Sequence, residues 1–151
     1  MAGVGNVFLG DDGFGVAVAE RLRAPAGWAD VDVVDFGIRG IDLAFALGEY
    51  DAAVLVDTVR QGGAPGTLYV LEPGEVPGSG GVAPHGMTPQ RVLQWLPATG
   101  APRLLRLVGC EPESFGEDGL GREGLSPPVA AAVEPAVRLV EDLVAELLTH
   151  A

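Results

Sequence analysis

The apolar positions of this chain change period repeatedly, and the changes mark out an alternation of strands and helices. Ala52 to Val59 (AAVLVDTV) is apolar throughout except for Asp57 and Thr58. Such a run suits a strand of a parallel sheet that is covered on both faces. Val31 to Phe36, Thr67 to Leu71 and Arg103 to Cys110 read as further strands, the second announced by the turn signal Gly62-Gly63-Ala64-Pro65-Gly66. Helical spacing predicts Gly13 to Arg23, Ile41 to Leu47 with Gly48 as its C′ glycine, and Thr88 to Leu96 with Thr88 as N-cap and Pro89 in the first turn. In the last helix Val129, Val133, Val137, Val140, Val144 and Leu147 form one stripe, and Arg138, Glu141, Asp142 and Glu146 face outward. Pro135 falls inside that pattern, so it either kinks the helix or opens its main segment.

This alternation predicts an α/β fold, a three-layer α/β/α sandwich of the phosphorylase/hydrolase-like type. Its sheet is expected to be mostly parallel, with about five strands, in a single domain over residues 1–151. Ligand sites in such folds lie at the carboxyl ends of the strands. Pro73 to Pro84 is rich in Gly and Pro and reads as a surface loop.

Composition narrows the classes. Hydrophobic residues make up 48% and charged residues 20%, a globular balance. A net charge of -12, with nine Arg and no Lys, repels phosphate backbones and argues against nucleic-acid binding. No apolar run approaches the ~20 residues that span a bilayer, and no secretory signal pattern is present. The single cysteine, Cys110, allows no intrachain disulfide and fits a reducing cytoplasm.

The first chemical motif is Gly3-Val4-Gly5-Asn6 followed by Asp11-Asp12-Gly13-Phe14-Gly15. A dinucleotide fingerprint needs a third glycine where Phe8 stands, and two carboxylates near a helix start would repel a pyrophosphate. Asp35, at the end of the second strand, is all that imitates the ribose-binding acid of such sites. One Asp is explained as a helix N-cap; the second leaves an acid for other work.

These residues resemble the opening signature of the hydrogenase maturation proteases, the endopeptidases that process [NiFe]-hydrogenase large subunits. The resemblance continues through Leu55-Val56-Asp57, Ala64-Pro65-Gly66-Thr67, Pro84-His85-Gly86, Val108-Gly109-Cys110-Glu111-Pro112-Glu113-Ser114 and Gly124-Leu125-Ser126-Pro127. Two features depart from the family pattern. Only Met1 and Ala2 precede the first motif, so that strand is either stunted or starts upstream. Asp35-Phe36-Gly37-Ile38-Arg39-Gly40 replaces the usual Asp-Gly-Gly-Thr-x-Gly, and Phe36, Ile38 and Arg39 are expected to alter how a particular substrate docks.

The resemblance implies a metal site of Asp12, Asp57 and His85. The residues themselves point the same way. Asp57 is the one charge in a buried run, where an unpaired carboxylate is costly, and His85 is one of two histidines, the other being His150 in the tail. Two carboxylates and an imidazole suit Ni²⁺, Zn²⁺ or Fe²⁺ without choosing among them. Taken singly, Asp57 could cap a turn and His85 could be an ordinary loop residue. The resemblance further implies a nickel-loaded large-subunit precursor as substrate, loss of a C-terminal extension, nickel carried by that precursor, and a cytoplasmic enzyme. A monomer is expected, because the site must stay open to a protein. Metal-polarised carbonyl, metal-activated water and Asp12 as general base all remain open for the cleavage step. So does a rival in which the protein binds nickel or precursor without cutting. Cys110 reads as an inert buried thiol, Ser126 as a cap of the last helix, and Glu111 and Glu113 as surface acids, with a supporting role near the site left open for both.

Overall fold

The computed structural model describes residues 1–22, 28–76, 89–116 and 123–150. In order these form β1 (Ala2–Val4), a 3₁₀ turn (Gly10–Gly13), α1 (Phe14–Leu22), β2 (Val34–Gly37), α2 (Gly40–Leu47), β3 (Ala52–Thr58), β4 (Leu68–Leu71), a 3₁₀ turn (Pro73–Glu75), α3 (Pro89–Thr99), β5 (Leu104–Cys110) and α4 (Pro127–His150). The five strands share one sheet in the order β2-β1-β3-β5-β4, with β4 alone antiparallel. The expected three-layer α/β/α architecture is therefore present.

Period-two alternation in β3 divides the core. Ala53 and Leu55 point to the layer of α2 and α3, with Leu43, Leu47, Val92 and Leu96. Val54 and Val56 point to the layer of α1 and α4, with Phe14, Val18, Val129 and Val140. A strand covered on both sides must be apolar at successive positions, which is why this segment stands out in the sequence. Fully buried side chains such as Phe14 and Leu22 each contribute roughly 1.5–3 kcal/mol.

The chain leaves β1 toward β2 on one side, then crosses to β3 on the other. This reversal opens a crevice at the carboxyl ends of β1 and β3, the place where doubly wound sheets bind ligands. Glycines make the crevice tight. A Cβ on Gly15 would lie 2.2 Å from the Val56 carbonyl oxygen and 2.4 Å from that of Val4, so only glycine lets α1 start against the sheet.

Several expected features differ. The second strand is Val34–Gly37 rather than Val31 to Phe36, because it extends only where it pairs with the short β1 (Ala2 with Val34, Gly3 with Asp35, Val4 with Gly37). Gly48 is not a left-handed C′ glycine: its φ is −66°. Its small size matters instead, since a Cβ would lie 2.6 Å from the Thr99 carbonyl oxygen. α4 begins at Pro127 and runs through Pro135, so Pro135 does not open the helix. Its buried seam is Val129, Ala132, Ala136, Val140, Val144 and Leu147, with Val133 and Val137 half-buried beside it. The alanines let α4 lie close to α1 and the sheet. The proposed N-cap Thr88 and most of the Pro73 to Pro84 loop lie outside the described residues, although Pro73–Glu75 forms a turn closed by a Glu72–Glu75 capping box. Among the described residues, no helix is long and apolar enough to cross a membrane.

Candidate active site

Asp57 ends the apolar run of β3 and is 1% exposed. Asp12 enters from the 3₁₀ turn after β1. Gly5 lies between them: its φ is +136°, and a Cβ there would sit 1.8 Å from the Asp12 carbonyl oxygen and 3.6 Å from Asp57 Oδ1. Any side chain at this position would force the two acidic segments apart. The Gly5 N–H is fixed in turn by donation to the Gly37 carbonyl at 2.9 Å.

Hydrogen-bond donors from neighbouring segments hold both side chains. The Asn6 N–H donates to Asp12 Oδ2 at 2.9 Å, and the Thr58 hydroxyl approaches Asp12 Oδ1 at 3.4 Å. The Thr58 N–H donates to Asp57 Oδ1 at 2.7 Å. Burial, reinforced by the negative charge of Asp12, holds the Asp57 carboxyl well above the usual carboxylate range, and the Thr58 hydrogen bonds offset only part of this. A cation at the pair would relieve both costs, so the chemistry of these donors fits a divalent metal.

Among the described residues, no three His, Cys, Asp or Glu side chains gather as a metal-ligating group. His85, the third expected ligand, lies outside the described residues. The structure thus brings Asp12 and Asp57 together and does not bear on His85.

Two further carboxylates, one read from sequence as a helix cap and the other chiefly as a surface acid, build the rim. Asp11 is fully buried, and its side chain does not cap its own turn. Its Oδ2 accepts the N–H groups of Glu113 and Ser114 and the Ser126 hydroxyl, and its Oδ1 accepts the Ser126 N–H. Burial alone would raise its pKa, but these hydrogen bonds outweigh the burial and hold it below the usual range. Ser126 does precede α4, and its carbonyl accepts the Ala130 N–H, yet its hydroxyl serves Asp11.

Glu111, expected on the surface, is only 5% exposed. Its Oε1 accepts the Gln61 and Gly63 N–H groups and the Tyr69 hydroxyl. Its main chain clasps the Pro65-Gly66-Thr67 turn: Gly66 N–H donates to the Glu111 carbonyl, and the Glu111 N–H donates to that of Thr67. Glu113 is exposed, as expected. Asp11 and Glu111 therefore knit four sequence-distant segments into one rim. No local signal in the sequence marks them, because their partners lie 42 to 115 residues away. Cys110 is buried beside this rim. Burial first, then the charges of Asp11 and Glu111, push its thiol up to about 12, which makes it a poor nucleophile.

The model of a family described as hydrogenase maturation protease matches residues 16–143. The chain belongs to the hydrogenase maturation protease family. It is 36% identical to the hydrogenase 2 maturation protease of Escherichia coli, over 93% of this chain and 86% of that protein. It is 37% identical to the hydrogenase expression/formation protein HoxM of Azotobacter vinelandii, over 97% of this chain and 72% of that protein. Among solved structures it superposes on the hydrogenase maturating endopeptidase HybD from Escherichia coli with a TM-score of 0.78 and 29% identity, covering 96% of this chain and 90% of the other. This family member is accordingly a hydrolase of the peptidase class, with its acid pair in the crevice at the strand reversal.

Proposed function

We propose that this peptidase removes a C-terminal extension from a nickel-loaded [NiFe]-hydrogenase large-subunit precursor, and that Asp12, Asp57 and His85 engage the nickel that the precursor carries. One observation supports this reading above others: two carboxylates from separate segments share the crevice at the carboxyl ends of β1 and β3, one of them buried and costly to ionise alone. Nickel belongs here to the substrate, which makes the metal a recognition element that tells a loaded precursor from an empty one. Other divalent ions would occupy the same donors in vitro.

The chain's own groups supply the rest. Asn6 N–H and the Thr58 hydroxyl hold the Asp12 carboxylate in one orientation. Asp12 is suited to accept a proton from an attacking water and to return it to the leaving amine. The enzyme acts as a monomer in the cytoplasm on a protein partner, without nucleic acid or membrane.

The test is incubation of the purified protein with nickel-loaded and nickel-free precursor, followed by intact-mass spectrometry. The loaded precursor should shorten and the empty one should not. Equal cutting of both would refute nickel recognition. Binding of both without any shortening would favour a non-catalytic maturation factor.

A further inference from the structure

The exposed apolar side chains are not scattered evenly. Among the described residues, five of the eight large ones, Val7, Phe8, Ile38, Ile41 and Phe45, come from two loops and the helix α2 beside the acid pair. Helix α2 reads GIDLAFAL and carries a single polar side chain, Asp42. A helix apolar on all sides is normally covered all round. Here Leu43, Ala44 and Leu47 face the core, while Ile41 and Phe45, four residues apart on one face, are 57% and 61% exposed. Ile38 at 56% extends that face toward the strand ends, and Phe8 at 68% stands on the loop leading from β1 to Asp12.

This face is continuous with the acid pair through the backbone. The Asn6 side-chain oxygen accepts the Phe8 N–H, and the Asn6 N–H is bound by Asp12. Gly37, which precedes Ile38, accepts the Gly5 N–H beside Asp57. The apolar face thus borders the loops that carry the acid pair, where a bound polypeptide would rest against it. A second copy of the chain seated on this face would close off the crevice that substrate has to enter.

We propose that Phe8, Ile38, Ile41 and Phe45 form the docking face for the precursor, an inference that rests on the endopeptidase reading above. The matching surface on the partner carries apolar side chains. Exposed Asp42 and Glu49 border the face, and with the net charge of -12 they call for basic residues around that partner's apolar centre. Loss of two exposed apolar anchors removes contacts made in the bound ground state and the transition state alike, so it raises KM and leaves kcat nearly intact.

The experiment compares the wild type, the double variant Ile41→Ser with Phe45→Ser, Phe8→Ser on a separate segment, and Leu148→Ser as an exposed apolar control on the last turn of α4. Binding of nickel-loaded precursor is measured by biolayer interferometry, and cleavage by steady-state kinetics, after circular dichroism has checked folding. The double variant should bind about tenfold more weakly or worse, with a matching rise in KM and kcat within about twofold. Phe8→Ser should move the same way and Leu148→Ser should not. Unchanged binding in the double variant and in Phe8→Ser overturns the proposal, as does an equal loss in Leu148→Ser. A wild-type dimer that dissociates in the double variant would assign the face to a second copy and also overturn it. If the wild type binds precursor but never cuts it, the endopeptidase reading falls, while the binding ratios still decide for or against the docking face.

Discussion

Replacing Asp11 should cost more stability than replacing any other carboxylate in the described residues. Its side chain accepts three backbone N–H groups and one hydroxyl, at 2.7 to 3.0 Å, in a fully buried position. In Asp11→Ala those donors lose their only partner from this residue. At about 1–1.5 kcal/mol for each of the four orphaned donors, the loss comes to about 4–6 kcal/mol, a large share of the 5–15 kcal/mol that holds a typical domain folded. Asp11→Asn keeps the shape but turns an NH₂ group toward a donor and removes the charge, so it should cost about 2–3 kcal/mol. The pH dependence separates this account from simple loss of packing. The folded-state pKa of Asp11 lies below its unfolded value. Its contribution is therefore fully present above the unfolded value of about 3.9 and is lost as pH falls toward the folded one. Urea unfolding of the wild type and Asp11→Asn from pH 7 down to pH 3 should show a gap that is constant at first and narrows below about pH 4. A gap under about 1 kcal/mol at pH 7, or one that does not change with pH, would refute the reasoning.

Asp57 has the opposite sign. Its folded-state pKa is raised, so its contribution is fully present only below the ordinary carboxylate range and is lost as pH rises toward the folded pKa. Metal-free Asp57→Asn, which keeps the oxygen that accepts Thr58 N–H, should melt above the wild type at pH 7, by roughly 2–4 °C per kcal/mol, while losing precursor cleavage. Differential scanning calorimetry that finds it less stable would contradict this. With its thiol pushed up to about 12, Cys110 should resist alkylation at pH 8 until urea unfolds the chain, and Cys110→Ala should still process precursor. Glu111→Leu strands three donors on the Gln61 to Tyr69 segment and should cost about 2 kcal/mol in urea unfolding.

What the sequence revealed follows from how local each signal is. β3 is legible because burial on both faces demands an unbroken apolar run, and Asp57 is conspicuous as the charge within it. The closeness of Asp12 to Asp57 follows from topology, since β1 and β3 are neighbours whose loops leave from the same edge. The extent of β2 was not legible, because pairing with β1 sets it: Val31 and Val33 pack against the α1 and α4 layer without joining the sheet. Asp11 looked like half of an acidic pair, and Glu111 looked like a surface acid. Their roles depend on donors from distant segments, which no local pattern encodes. Gly48 misled for a related reason: a glycine after a helix suggests a left-handed turn, but this one makes room for the Thr99 carbonyl.

The most direct test of the central claim is the intact mass of nickel-loaded large-subunit precursor after incubation with the wild type or with His85→Ala. The wild type should yield a product shortened at its C-terminus. His85→Ala should leave the precursor at full length, because two carboxylates without an imidazole hold nickel poorly. No shortening by the wild type, or processing by His85→Ala at the wild-type rate, would contradict the account.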